Sequence, residues 1–173
     1  MEDSGRTGPS GGQAGQAGQG RDRRAQITMT PEEREAFLTA NRKVQVATVG
    51  PDGAPHLSTL FYALVGGRLA FWTYAASQKA VNLRRDPRVT CLVEDGEDYG
   101  ELRGLMIRGT AETTDDPEEV RRVGTAVTAA MTGTAEEDLE AAGARGEIER
   151  AGRKRVAVFI REERTASWDH AKL

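Results

Sequence analysis

The stretch that most restricts the fold of this chain runs from Val44 to Tyr74, three apolar segments separated by little more than turn residues. Val44–Val49 ends at Gly50-Pro51-Asp52-Gly53, where proline presets one φ and glycine is free to take a positive one. His56–Val65 follows, and Gly66-Gly67 leads directly into Leu69–Tyr74. Connections this short leave no room for a crossover helix, so the three strands are expected to form an antiparallel meander. The middle strand has no polar face: Leu57, Thr59, Phe61 and Ala63 alternate with Ser58, Leu60, Tyr62 and Leu64. A strand apolar on both sides is covered on both. One face is expected to fill a barrel and the other to meet a partner or ligand. That reading predicts a homodimer, with Leu60 on the interface side.

The flanking segments are punctuated just as clearly. Thr30-Pro31-Glu32-Glu33 is a capping box with proline at the first helical position, and Phe37 and Leu38 give the helix Pro31–Ala40 an apolar side. Ser77 opens a second short helix, Ser77–Arg85, that Asp86-Pro87 ends, because the residue before proline avoids helical backbone. Val89–Glu94 reads as a fourth strand. An acidic turn at Asp95–Gly100 leads to a fifth, Glu101–Glu112, with bends expected at Gly104 and Gly109. Asp116 and Pro117 start a helix whose Val120, Val123, Val127 and Met131 form one packing stripe. Thr134–Gly152 reads as a short helix and a surface loop, Arg155–Ile160 as the closing strand, Arg164–Leu173 as a tail. The sum is a barrel-like antiparallel domain, mainly β, with six strands and small flanking helices.

Length and composition narrow the function classes. A chain of 173 residues suits one domain. Residues 1–26 hold almost no large apolar side chain and cannot offset the entropy of ordering, so a disordered tail is expected there and the domain at 27–173. That tail lacks the apolar core of a secretory signal, and no run is apolar enough to cross a bilayer, so a cytoplasmic location is expected. Lys+Arg 24 against Asp+Glu 27, interspersed, argues against a nucleic-acid binder. One cysteine and two histidines exclude an intrachain disulfide and a thiolate zinc site, and no metal ligand is assigned. Cys91, in mid-strand, reads as a buried apolar residue.

The segment Trp72–Asn82 brings unusual groups together. Trp72 and Tyr74 share one face of their strand and Thr73 the other. Ser77 can cap the following helix, leaving N–H groups at its positive end for an anion. Lys79 lies in the first turn, where a cation opposes the helix dipole unless something negative sits beside it. Asn82, one turn on, can add a hydrogen bond. Ser58 and Thr59 on the neighbouring strand can meet the polar edge of a heterocycle. Each residue singly has an ordinary structural reading. Their conjunction at one strand–helix junction points to a ligand with a phosphate at one end and a flat ring at the other.

The succession VATVGPDGAPHLSTL, GGRLAFWT, SQKAVNLRRDPRVTCLVED, RGTAE and RKRVAVFIREERTASWD resembles the pyridoxamine 5′-phosphate oxidase-like split-barrel superfamily. More narrowly it is similar to the actinobacterial branch whose members use coenzyme F420 (a 5-deazaflavin) or FMN. The resemblance spans Thr30 to Asp169, and the K-x-x-N-L-R-R-D-P-R segment carries most of its specificity. It implies a six-stranded antiparallel split β-barrel, homodimeric, with two cofactor sites in grooves between subunits. Lys79 matches the lysine that binds the cofactor phosphate. Members often carry arginine two positions earlier, where this chain has Ser77, which removes one charge from the phosphate clamp and leaves F420 and FMN both open. Ser58, Thr59 and Leu60 fall where the second strand lines the ring, Thr73 and Tyr74 where the third does. With Trp72, Ser77, Gln78, Lys79 and Asn82 they make up the expected cofactor-binding set. His56 falls near the ring edge and reads as structural, as does Trp168 in the tail.

The reaction implied is hydride transfer between a deazaflavin and a small or medium planar unsaturated substrate, the cofactor carrying the difficult chemistry. No catalytic side chain is assigned, since neither His56 nor His170 falls in a nucleophile motif. An FMN-dependent oxidoreductase is the alternative, and a non-catalytic flavin- or haem-binding module is the reading from another class.

Overall fold

The structure is a computed structural model and describes residues 23–173. Of the tail expected at 1–26, only 23–26 fall within it, as part of a short helix α1 over 23–27. The further elements are α2 (Pro31–Ala40), β1 (Lys43–Val49), β2 (Pro55–Phe61), β3 (Ala63–Val65), β4 (Arg68–Tyr74) and α3 (Gln78–Arg85). Then come β5 (Arg88–Asp95), β6 (Arg103–Thr114), α4 (Pro117–Thr132), α5 (Glu136–Ala141), α6 (Arg145–Gly152) and β7 (Arg155–Asp169). The capping box of α2 is formed as expected, with Thr30 and Glu33 each bonding the other's backbone N–H.

All strands belong to one antiparallel sheet in the order β2-β1-β5-β6-β7-β4-β3. Among the described residues there are seven strands rather than six, because the expected strand His56–Val65 is broken at Tyr62. Its first half pairs with β1 and its second with β4, so the meander is not formed. Tyr62 sits at the switch, 1% exposed, its N–H bonded to the Arg42 carbonyl (3.1 Å) and its hydroxyl to the Leu38 carbonyl (2.7 Å). Since β2 and β3 are the two ends of the sheet and one piece of chain, the sheet closes into a split barrel. Counting that bent segment once restores six.

Alternation then sorts the side chains. Val44 and Val46, Leu69 and Phe71, Cys91 and Val93, Leu105 and Ile107, and Val156, Val158 and Ile160 fill the interior. Burial pushes the Cys91 thiol up to about 12. Outside, α4 lays Val120, Val123 and Val127 on Ala70, Ala157 and Phe159. Met131, expected in that stripe, is 45% exposed and lies beyond it. Gly109 marks a bulge where a Cβ would stand 2.0 Å from the Arg161 carbonyl oxygen. The expected tail is instead strand: β7 continues to Asp169 and pairs with β6 back to Arg103, since the long β6 needs a partner along its whole length.

Candidate functional site

The junction between β4 and α3 forms as the sequence predicts. The Ser77 hydroxyl accepts from the Ala80 N–H at 3.4 Å, and the helix ends at Asp86 before Pro87. α3 turns Ala80, Asn82 and Leu83 inward and packs on β1, β2 and β6. Its first turn holds no acid and one cation, Lys79. The Lys79 amine donates to Thr73 Oγ1 at 3.4 Å, and that hydroxyl lies 3.2 Å from Ser77 Oγ. Among the described residues no carboxylate stands within 4.0 Å of the amine. The side chain is half-buried, and desolvation lowers the ammonium below the usual lysine value. A partly desolvated cation among hydroxyls at a helix N-terminus is an arrangement suited to an anion.

Asn82 has a different place from the one expected. It is fully buried, accepts from Gln78 Nε2 at 2.8 Å and donates to Thr48 Oγ1 at 3.0 Å, and the Thr48 hydroxyl reaches the His56 carbonyl at 3.4 Å. Both ends of its amide are therefore used inside the fold. Asn82 ties α3 across β1 to β2 and orients Gln78, and it presents no free polar atom to a ligand.

On β2 the expected trio divides. Ser58 lies opposite Val46 and Leu60 opposite Val44, so both face inward, and Leu60 packs against the core rather than an interface. Thr59, opposite Gln45, faces outward, exposed, over a hollow of about 510 Å3 bordered by Gln45, Leu92 and Asp95. Among the described residues Ser58 Oγ and His56 Nδ1, on the same inner face, are buried without a hydrogen-bond partner. Two such atoms side by side are costly unless something polar meets them. They fit the polar edge of a bound heterocycle.

Trp72 and Tyr74 do not accompany Lys79. The register of β4 on β7 sets Trp72 opposite Ala157 and Tyr74 opposite Arg155, on the outer face, whereas Thr73 points inward with Val156. The Arg155 guanidinium sits 4.5 Å from the centre of the Trp72 ring and 4.4 Å from that of Tyr74. Trp72 also lies flat on Gly124 of α4, where a Cβ would stand 2.6 Å from its ring. The row of aromatic rings expected above the lysine is thus occupied with an arginine on the opposite face. Arg155 was missed because only the pairing of β7 with β4 brings it there. The junction keeps Thr73, Ser77, Gln78 and Lys79 together, with Ser58 and Leu60 on the inner face of β2.

Among the described residues no group of three or more His, Cys, Asp or Glu is placed to hold a metal, and no helix is long and apolar enough to cross a membrane.

Comparison with known proteins agrees with the fold. A pyridoxine/pyridoxamine 5′-phosphate oxidase of Kineococcus radiotolerans is 36% identical over 78 residues, 45% of this chain and 34% of that protein, so the chain spans about a third of that relative's length. The solved structure of a conserved hypothetical protein from Mycobacterium tuberculosis is 44% identical, covering 86% of this chain and 90% of that one, with a TM-score of 0.78. Two others share only the fold. One is an F420 reductase, 22% identical with a TM-score of 0.54, covering 79% of this chain and 98% of that one. The other is the haem storage protein of Vibrio cholerae, 14% identical with a TM-score of 0.59, covering 80% and 93%. The family model described as pyridoxamine 5′-phosphate oxidase matches residues 30–164, most of the barrel and the whole β4–α3 junction, and the chain belongs to that family.

Proposed function

We propose that the chain is an oxidoreductase working with a phosphorylated flavin-type cofactor, coenzyme F420 in the first place and FMN as the alternative, on a small or medium planar unsaturated substrate. The observation that carries this reading is Lys79: a half-buried ammonium at a helix N-terminus, beside Thr73 and Ser77 and with no carboxylate near it. When bound, such a cofactor supplies hydride chemistry at its central ring. Lys79, Ser77 and the first N–H groups of α3 hold the phosphate, with Thr73 orienting the amine. Ser58 meets the polar edge of the ring, and Gln78 is aimed by Asn82. The alignment of ring and substrate in a groove closed to water is the protein's share of the catalysis.

A second copy of the chain is part of this proposal. Leu57 is 62% exposed and lies beside Thr59, Ala47 and Leu92, whereas Phe61, further along the same outer face of β2, packs under α4. A partner subunit there would close the groove, and Thr59 would reach a cofactor from that face.

Parallel titrations with FMN and F420 test the reading. Tight binding of F420 with quenched deazaflavin fluorescence supports it, and tight binding of FMN alone selects the alternative. Binding of either cofactor without oxidation of its reduced form across a panel of enones and quinones would make the chain a binding module. Binding of neither would refute the proposal.

A further inference from the structure

A cleft of about 530 Å3 lies between the end of α3, the start of α4, α6 and the start of β7. Four arginines line it, Arg84, Arg121, Arg153 and Arg155, against two carboxylates, Asp115 and Glu149. Guanidinium groups gathered in one concavity repel one another unless an anion joins them. The chain's own acids neutralise them poorly. Glu149 is bonded to Arg145 at 2.8 Å, and Arg121 reaches Glu118 and Glu140 at 3.1 and 3.9 Å. Among the described residues Arg84, Arg153 and Arg155 have no carboxylate within 4.0 Å.

Neutral groups hold two of these cations in place. Arg155 is stacked between Trp72 and Tyr74 and spends one N–H on the Ala151 carbonyl at 2.6 Å. A guanidinium has further donors for another acceptor. Arg84 donates to the Ala75 carbonyl at 2.8 Å. A guanidinium already fixed in this way loses little freedom on meeting an oxyanion.

We infer that this cleft is a second anion site, distinct from the Lys79 junction, for a small organic anion bearing carboxylate or phosphate groups. The planar fork of arginine matches both groups. The separation rests on the lining, which includes none of Thr73, Ser77 and Lys79, and on the alternation of β4, which turns Thr73 inward and the rings stacked on Arg155 outward. Nothing in the inference requires the cofactor reading to be correct.

The test is calorimetric titration of the full chain with inorganic phosphate and, separately, with citrate, at an ionic strength held constant with chloride. One binding event is expected to survive Lys79→Ala. Arg153→Ala, at an exposed position with no ion pair to lose, should weaken it about tenfold, the worth of one charge-assisted hydrogen bond. Asp115→Asn should tighten it by removing a negative neighbour. The two probes separate a phosphate ligand from a polycarboxylate. The inference is overturned if no event survives Lys79→Ala, or if the surviving one ignores both Arg153→Ala and Asp115→Asn.

Discussion

One side of the barrel is covered by α4, and the side formed by β1, β5 and most of β2 is more open. Over β3, β4 and the start of β7, α4 buries Ala70, Ala157 and Phe159. Over β2, β1 and β5 the outward residues Leu57, Ala47, Thr59 and Leu92 stay exposed or half-buried, interspersed with Lys43, Gln45, Arg88, Thr90 and Glu94. The covered strands are the more apolar on their outer side, yet Leu57 shows that an apolar residue can also lie outside the cover of α4. Helix placement contributes, and the exposed patch around Leu57 is where the proposed second copy would sit.

The comparison is open to experiment, beginning with the largest effect. Phe159→Ala, under α4, is expected to cost about 3–5 kcal/mol in urea unfolding, whereas Leu57→Ala on the more open side should stay within about 0.5 kcal/mol for the monomer. Equal losses would show that the more open side is not open. Leu57→Asp should instead weaken self-association by about thirtyfold, worth about 2 kcal/mol, from the charge it would bury against a partner. Sedimentation over a dilution series measures this, and a dimer of unchanged affinity would remove that face from the interface.

Lys79→Ala should weaken cofactor binding about tenfold while leaving the unfolding midpoint unchanged or slightly raised. An unaltered Kd would end its role with phosphate. The smallest effect is the pH dependence of that lysine. Its ammonium titrates below the usual value in the folded chain because burial disfavours the charge. The penalty is present at neutral pH and is relieved as pH rises from the lowered folded value toward the unfolded one. Lys79→Met should therefore be more stable than the parent at pH 7, with the gap shrinking in alkali. A gap that widens would mean the amine has an anionic partner within the fold.

Local chemistry was legible in the sequence and long-range pairing was not. The ends of α2, the Ser77 cap, the stop at Asp86 and the place of Lys79 all depend on residues within a turn of one another. The switch at Tyr62 does not, because strands β1 and β4, which claim its two sides, lie elsewhere in the chain. Residues Arg161–Asp169 look too polar for a strand, and only the length of β6 makes them one. For the same reason only some of the residues expected at the site come together. The junction of Thr73, Ser77 and Lys79 is local, but the rings of Trp72 and Tyr74 go to Arg155 through the register between β4 and β7.

The switch at Tyr62 also bears on how the barrel opens. Sheets ordinarily fray from their rims, one outer strand at a time, but here both rims are successive parts of a single backbone stretch pinned by one phenol. Neither can peel away without pulling on the other, so amide exchange at Leu57 and at Leu64 should rise together rather than in sequence.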